Sequence, residues 1–262
     1  MKDIWKKIAL AAGVVALFLA LSYGFVPQVL DGKIVNQSDI SGWQGMSHEM
    51  MEWNAAHPDD QTAWTESMFG GMPTATIHAS TRGDWTQKIY DFLLIGRRPA
   101  TYLFLSLLGA WLLMLALGIH PLVAVGGAIA VTLCSYNLQI IQVGHNTKMQ
   151  ALAFLPWVLA ALIHTYNQIK KDNWLPGTLL GAAGFGLFLS FQVKANHPQI
   201  TYYLALMILI YVIVLVVSLL REKAQKAAWG RFFAASGLLL VLGVAGIATN
   251  ATKLLPTMEY TP

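Results

Sequence analysis

The sequence has little charge and almost no cysteine. Asp, Glu, Lys and Arg together make up 11% of its 262 residues, whereas roughly 25% is typical of soluble globular domains. This shortage excludes an ordinary soluble domain and indicates a protein that is largely surrounded by lipid. Cys134 is the only cysteine and lies in an apolar stretch, so an intrachain disulfide framework is excluded as well.

The signatures of several enzyme and metal-site classes are also missing. The sequence has no HExxH or paired-cysteine spacing, no nucleophile elbow of the G-x-S-x-G type and no phosphate-binding glycine loop. We therefore expect no cofactor, although Asp39, His145 and His197 could in principle hold a divalent metal ion. The net charge of +4 does not predict nucleic-acid binding, because the basic residues are spread over short connections between apolar stretches.

What the sequence does contain is a series of long apolar stretches, and 56% of its residues are hydrophobic. Each stretch approaches the roughly 20 residues that a helix needs to cross the bilayer, and a helix satisfies its own backbone in lipid. We predict an all-α polytopic membrane protein with about seven transmembrane helices, in which residues 1–262 form one transmembrane domain. We interpret the first stretch as an uncleaved anchor, with a signal peptide as the alternative. The stretches are residues 8–30, 100–119, 121–141, 149–166, 174–193, 200–220 and 232–249.

The distribution of basic residues predicts the orientation of the chain. If the N-terminus is cytoplasmic, the short inside segments hold nine basic and three acidic residues, and the much longer outside segments hold eight basic and ten acidic residues. An excess of Lys and Arg on short cytoplasmic connections is the general rule. We therefore expect the long loop 31–98 to be extracytoplasmic. The polar connections 142–150 and 193–200 then lie at the same outer face.

The outer loop begins with a helical pattern. Apolar side chains recur at steps of three and four and predict an amphipathic helix, which lies either in the membrane interface or against other protein. Asp39 stands where this helix begins, and it is interpreted either as an N-cap or as a reactive carboxylate. The stripe consists of Ile40, Trp43, Met46, Met50 and Trp53.

A second part of the same loop predicts a turn. Gly70-Gly71 and Pro73 are typical turn residues, and Trp64 and Phe69 beside them could form a wall on which a sugar stacks or could simply hold the loop together. Arg97-Arg98 precede the second apolar stretch. They are interpreted as interfacial anchors, with contact to a lipid phosphate as the alternative.

The two short outer connections are unusually rich in Lys, His, Asn and Gln. Lysine and histidine at the membrane surface often contact lipid headgroups or phosphates, so Lys148 and Lys194 could converge on one phosphate. The alternative is that each lysine only extends its amine to the interface. The candidate residues of these connections are His145, Asn146, Lys148, Lys194, Asn196, His197 and Gln199.

The order of these segments resembles the N-terminal part of the YfhO family of bacterial membrane proteins, which belong with the GT-C type glycosyltransferases. The resemblance is carried by "NQSDISGWQGM", "MFGGMPTAT", "GHNTKMQALAFLPWVLAAL" and "NHPQITYYLAL". It covers essentially the whole chain. Because family members are much longer, we expect this sequence to be the N-terminal part of a longer GT-C module.

The resemblance implies an enzyme of the bacterial cytoplasmic membrane that takes a sugar from a polyprenyl-phosphate carrier at the outer face. Its other partners would be membrane lipid and a glycan or lipid acceptor. An acidic residue of the first outer loop serves such enzymes as catalytic base or positions the acceptor, and here it maps onto Asp39. Many relatives carry two acidic residues at this place, whereas Ser38 precedes Asp39 here, which argues against a divalent metal ion.

The expected reaction is inverting glycosyl transfer. Asp39 would take the proton of an acceptor hydroxyl as that oxygen attacks the anomeric carbon. Lys148 and Lys194 would stabilise the departing lipid phosphate, and His145 or His197 would donate hydrogen bonds to it. The residues expected to bind the substrate are His145, Asn146, Lys148, Lys194, Asn196, His197, Gln199 and Trp64.

Two other classes of function fit the same residues. One is a transporter or flippase of a lipid-linked saccharide, which would use the basic and aromatic groups of the outer face but would need no base. The other is a non-catalytic membrane scaffold. An active-site carboxylate separates the enzyme from both of these alternatives.

Overall fold

The computed structural model of the chain describes residues 2–74, 77, 86–94, 98–223 and 225–259. Within these ranges the chain is almost entirely helical, with one two-stranded antiparallel hairpin. The prediction of an all-α polytopic membrane protein is confirmed. The elements are α1 (Lys2–Phe25), a short 3-10 turn (Pro27–Val29), α2 (Ser38–Ala56), β1 (Trp64–Thr65), β2 (Met72–Pro73), α3 (Gln87–Leu93), α4 (Ala100–Ala116), α5 (Pro121–Thr132), α6 (Ser135–Val143), α7 (Asn146–Gln168), α8 (Trp174–Lys194), α9 (Pro198–Arg221), α10 (Lys226–Ala248) and α11 (Ala251–Glu259).

The helices account for the predicted membrane spans in three ways. Five helices of the described chain, namely α1, α7, α8, α9 and α10, are long and apolar enough to cross a bilayer. The pair α5 and α6 makes a sixth span if the two are taken together, and they are bent by 44° at their junction. The remaining predicted span is α4, which is apolar but has only 17 residues.

The break between α5 and α6 was not expected from the sequence, which predicts one straight span over 121–141. The chain interrupts its helix at Leu133 and Cys134. Asn137 then donates through Nδ2 to the carbonyl oxygens of Val131 and Thr132, at 3.1 Å each. One polar side chain thereby satisfies carbonyl groups that the interrupted helix leaves without their usual partners, which explains why an apolar stretch can bend here.

The centre of the bundle is α7, which packs against α4 and α8, while α10 packs mainly against α8 and also contacts α7. Close approach of α4 and α7 depends on Gly109, since a Cβ atom there would lie 2.4 Å from Cδ1 of Trp157. Helix α9 lies at the periphery and exposes Leu209, Ile210 and Val214. In a bilayer such an apolar surface faces the lipid chains.

The polar connections collect at one end of the bundle, which we call the loop face. Here Gln37 and Asn146 exchange side-chain hydrogen bonds, and Lys253 donates to the backbone carbonyl of Lys194. At the opposite end, Arg231 donates to backbone carbonyls where α7 passes into α8. The structure therefore agrees with the prediction that the polar segments share one side.

Helix α2 confirms the helix predicted at the start of the loop but corrects its inner face. Met46 and Trp53 of the predicted apolar stripe are exposed, whereas Ser47 is fully buried. The hydroxyl of Ser47 donates to the Trp43 carbonyl at 2.9 Å, so a small polar residue is buried without leaving an unpaired group. A pattern of apolar residues alone cannot reveal such a position. The buried and half-buried residues of α2 are Ile40, Trp43, Ser47, Met50 and Asn54.

The predicted turn at Gly70-Gly71 is confirmed. Both glycines have positive φ, at +75° and +115°, and they return the chain so that Trp64 pairs with Pro73 in the hairpin. Phe69 is 90% exposed and is not in the described lining of the cavity that Trp64 borders. The two aromatic side chains therefore do not form the common wall that the sequence suggested.

Candidate functional site

The N-terminus of α2 is docked onto the chain between α6 and α7. Gln37 donates through Nε2 to the Ile141 carbonyl, and its side-chain amide exchanges two hydrogen bonds of 3.3 and 3.1 Å with that of Asn146. Gly144 makes this approach possible. Its φ is +107°, and a Cβ atom there would lie 2.9 Å from Cβ of Gln37.

Docking places Asp39 next to His145. Oδ2 of Asp39 lies 2.9 Å from Nε2 of His145, and the two side chains are 44% and 47% exposed. The interpretation of Asp39 as an N-cap is wrong. Gln37 occupies the N-cap position of α2, no side chain caps the helix there, and Asp39 lies within its first turn. The Asp39 carboxylate thus has no capping role and borders the space beneath α2.

That space is a cavity of about 510 Å³ at the loop face. The charged side chains of its described lining are one carboxylate, Asp39, and two cations, Arg98 and Lys148. A cavity with this balance suits an anion beside a carboxylate that can accept a proton. Among the described residues the lining consists of Asp39, Ile40, Trp43, Arg98, Gly144, His145, Asn146, Thr147, Lys148, Gln150 and His197.

The two cations of the cavity rest on aromatic rings. Cζ of Arg98 lies 5.9 Å from the centre of the Tyr102 ring, and Nζ of Lys148 lies 5.1 Å from that of Tyr136. Such contacts orient a cation and leave its N–H groups able to donate to a ligand. The sequence predicts for Arg98 only an interfacial anchor or a contact with a lipid phosphate, and the structure adds it to the cavity.

His197 closes the cavity from the connection between α8 and α9. Burial lowers the pKa of His197, and the nearby positive charge of Lys148 lowers it further. Its Nδ1 is buried and finds no hydrogen-bond partner among the residues that the structure describes. His197 therefore favours the neutral ring, and one of its nitrogens is held without a partner.

Gln150 and two tyrosines connect the cavity to α3 and α4. Gln150 donates to the Tyr102 hydroxyl at 2.9 Å and accepts a hydrogen bond from the Tyr90 hydroxyl. Burial raises the pKa of Tyr90, so its hydroxyl stays protonated and donates to Gln150, while the Tyr102 hydroxyl accepts from Gln150. Sequence reasoning missed Gln150, although it lies two residues beyond Lys148 and could have been found by following the first turn of α7.

Lys194 occupies a different place from Lys148. It is only 5% exposed, and its Nζ donates to Oγ1 of Thr86 at 2.9 Å and to Oε1 of Gln87 at 3.2 Å. The same Nζ lies 5.5 Å from the centre of the Tyr90 ring. The structure does not bring Lys148 and Lys194 together in one cavity, which corrects the expectation that they converge on one phosphate.

The other predicted binding residues lie apart as well. Asn196 adopts a positive φ of 56° in the turn after α8, and exposed Gln199 donates to the Tyr203 hydroxyl at 3.0 Å. Trp64 lines a separate cavity at the far end of α2. Five of the predicted site residues do line one cavity, namely Asp39, His145, Asn146, Lys148 and His197.

Across the described part of the chain, no group of three or more His, Cys, Asp or Glu side chains is arranged to hold a metal ion. Asp39 and His145 form a pair, and His197 lies on the other connection. The expectation that the reaction needs no cofactor stays a prediction.

Comparison with known proteins does not assign the chain to a family. No family model, no curated protein and no solved structure matches the sequence or its fold. The resemblance to the YfhO family and to GT-C glycosyltransferases stays a prediction, and the arguments about function come from the geometry of the cavity.

Proposed function

We propose that the protein is a membrane glycosyltransferase that moves a sugar from a polyprenyl-phosphate carrier to a glycan or lipid acceptor at the loop face. The observation that carries this proposal is the Asp39 carboxylate in a cavity whose described lining also carries the cations Arg98 and Lys148. A base beside two cations is the arrangement that an attacking hydroxyl and a departing phosphate require.

In the proposed reaction, the acceptor hydroxyl lies against Asp39. The carboxylate takes the hydroxyl proton as the oxygen forms a bond to the anomeric carbon of the donor sugar. The bond from that carbon to the phosphate oxygen breaks, the configuration inverts, and the polyprenyl phosphate leaves with the electron pair. His145, at 2.9 Å from Asp39, fixes the direction of the carboxylate.

The leaving phosphate gains negative charge as its bond to the sugar breaks. Arg98 and Lys148 neutralise this charge, and Arg98 offers a planar pair of N–H donors that matches two phosphate oxygens. Asn146, held by Gln37, keeps the first turn of α7 in place beneath them. Lys194 has no part in this scheme, because its amine is bonded to Thr86 and Gln87.

The proposed site is at the outer face of a bacterial cytoplasmic membrane. The excess of basic residues on the short connections of the opposite face supports this orientation. A carrier phosphate at the membrane surface then reaches the cavity, while its polyprenyl chain stays in the bilayer.

The test is Asp39→Asn in the purified, lipid-reconstituted protein. The amide keeps the size of the side chain and removes the base, so release of polyprenyl phosphate from a panel of labelled polyprenyl-phosphate sugars should fall by about a hundredfold or more. The matched control is Asp59→Asn, an equal loss of charge in an exposed part of the same loop, and it should retain full turnover.

The outcome also separates the rival classes. A flippase would move the labelled carrier across vesicles without releasing polyprenyl phosphate, and it would tolerate Asp39→Asn. A scaffold would neither release nor move it. Full turnover in Asp39→Asn would refute a base at this position.

A further inference from the structure

A second cavity lies at the other end of α2, away from the Asp39 cavity. Its volume is about 540 Å³, and it opens between the last turns of α2 and the hairpin. Its walls carry two indole rings, Trp53 and Trp64, and three carboxylates, Glu49, Asp60 and Glu66. Nothing in the proposed transfer reaction uses it.

Both indole rings are fixed by hydrogen bonds of their own. Trp53 donates through Nε1 to the Asp60 carbonyl, and Trp64 donates through Nε1 to Oε1 of Glu66, each at 3.0 Å. The rings are 46% and 44% exposed. Because each indole N–H already donates a hydrogen bond within the protein, a ligand can contact these side chains only through the faces and edges of their rings.

Each ring also has one side covered by its own chain. His57 stacks on Trp53 with the ring centres 4.1 Å apart. A Cβ atom on Gly71 would lie 2.8 Å from Cζ2 of Trp64, so the hairpin covers part of that indole. The two aromatic walls are therefore held in place before any ligand arrives.

The negative charge of the cavity is held in place as well. Oε2 of Glu49 accepts hydrogen bonds from the Thr65 hydroxyl and from the backbone N–H groups of Glu66 and Ser67. These hydrogen bonds, with that of Thr65 the strongest, lower the pKa of Glu49. The carboxylate stays ionised at neutral pH, and it also links α2 to the hairpin that forms the opposite wall.

The described lining contains no Lys, Arg or His to balance these carboxylates. An anion such as a phosphate is excluded by this charge. A neutral sugar would stack on the rings and donate hydroxyl hydrogen bonds to the carboxylates, but it would leave their negative charge uncompensated. An organic cation gains from both features, because the face of an indole attracts a cation and carboxylates attract it from the side.

We propose that the cavity between Trp53 and Trp64 binds an organic ammonium group, as in a quaternary or primary amine. The indole faces enclose the ammonium carbons, and Glu66, Asp60 and Glu49 neutralise its charge. The inference does not depend on glycosyl transfer, since it rests on residues at the opposite end of α2 from Asp39.

The experiment compares choline with 3,3-dimethyl-1-butanol, its uncharged counterpart of the same shape. Binding to the full chain in a polyoxyethylene detergent is followed by tryptophan fluorescence at constant ionic strength. Choline should give a saturable change and the alcohol should not. The change should be lost in the double variant Trp53→Phe/Trp64→Phe, which lacks both indole rings of the cavity. Seven other tryptophans remain in this variant and report any non-specific effect of choline on fluorescence.

The charge requirement is tested with Glu66→Gln, which retains an acceptor for the Trp64 N–H. We expect it to weaken choline binding by about tenfold, on the scale of one charged contact. Glu52→Gln is the matched control, because Glu52 lies on the same helix and pairs with His48 at the surface. It should leave the affinity unchanged.

Three outcomes would overturn the proposal. Equal binding of choline and the alcohol would make the cavity a simple apolar site. Saturable binding of cellobiose in place of choline would make it a carbohydrate site. Equal loss of choline affinity in Glu66→Gln and Glu52→Gln would show that the overall charge of the loop, not a contact in the cavity, attracts the cation. Choline binding with normal sensitivity to Glu66 would stand even if Asp39→Asn left turnover intact.

Discussion

The two polar connections at the loop face have nearly the same composition and very different structures. Residues 142–150 and 193–200 each contain Lys, His, Asn and Gln. The first connection docks on α2 and gives its lysine to the Asp39 cavity. The second buries its lysine against α3. Composition near a membrane surface therefore does not determine where a cation ends up.

The direction of the adjoining helix explains the difference. The Cα–Cβ bonds of a helix tilt toward its N-terminus. Lys148 lies in the first turn of α7, so its side chain leads away from the bundle toward the loop. Lys194 is the last residue of α8, and its side chain leads back toward the interior. The side chains of Lys148, at the start of α7, and Lys194, at the end of α8, therefore point in opposite directions relative to the loop face.

We expect the largest difference in the free energy of unfolding between variants that lack the Lys194 amine and variants that lack the Lys148 amine. Lys194→Met leaves Thr86 and Gln87 without their charged donor, and we expect a loss of about 3 kcal/mol in the free energy of unfolding, since a hydrogen bond to a charged group contributes roughly 1.5–3 kcal/mol. Lys148→Met should change it by less than about 0.5 kcal/mol, as is usual for half-exposed sites. Melting temperatures in detergent measure both, and equal losses would contradict the comparison.

A smaller effect is expected at the glycine that lets the first connection dock. Residue 144 has a φ of +107°, which a side chain strains, and the Cβ atom added by Gly144→Ala would lie 2.9 Å from Cβ of Gln37. We expect it to cost about 1–3 kcal/mol and to expose the segment around Gln37 to limited proteolysis.

The control for this change is Gly42→Ala. Gly42 lies inside α2 with open space around it, so the substitution should stabilise the protein by about 0.5–1 kcal/mol. Unchanged proteolysis of Gly144→Ala would show that α2 is held by other contacts.

The smallest effect concerns His197, where the second connection meets the first. Its folded pKa is lowered below the ordinary value of 6.5, so the unfolded chain binds more protons than the folded one between these two values. The stability that this group contributes is present above pH 6.5. It is lost as the pH falls through that value toward the lowered pKa.

The measurement is the melting temperature at several pH values for the wild type and for His197→Gln. The wild type should lose more stability on acidification than the variant, which cannot titrate at this position. Lys148→Gln should reduce the difference, because the nearby positive charge helps to lower the pKa of His197. Parallel pH curves for the wild type and His197→Gln would contradict the assignment.

The sequence predicted the helical class and the grouping of polar segments because both follow from long-range composition and length. It could not predict that Asp39 faces a cavity, since an acidic residue at the start of a helix has the same local pattern whether or not it caps. It also missed the inward position of Lys194. That position depends on α3 folding back over α8, and the residues of α3 carry no periodic signal that reveals their partner.

The break in the apolar stretch 121–141 was missed for a related reason. Asn137 looks like an isolated polar residue in the sequence, and only its contacts with Val131 and Thr132 show that it closes a bend. The buried Ser47 of α2 is the same case, because its hydroxyl bonds to the backbone of its own helix. A polar side chain that hydrogen-bonds to nearby backbone can be buried, and the pattern of apolar residues in the sequence does not predict such a position.

The amide pair of Gln37 and Asn146 would give the Asp39 cavity a fixed frame during the proton transfer proposed above. Neither amide ionises in the physiological range, so the contact that fastens α2 to α7 keeps its strength at any protonation state of Asp39 or His145. It is also insensitive to salt, unlike a pair of charges. Holding the helix depends on Gln37 and Asn146, whereas the proton transfer proposed above depends on Asp39 and His145, so the two use different side chains.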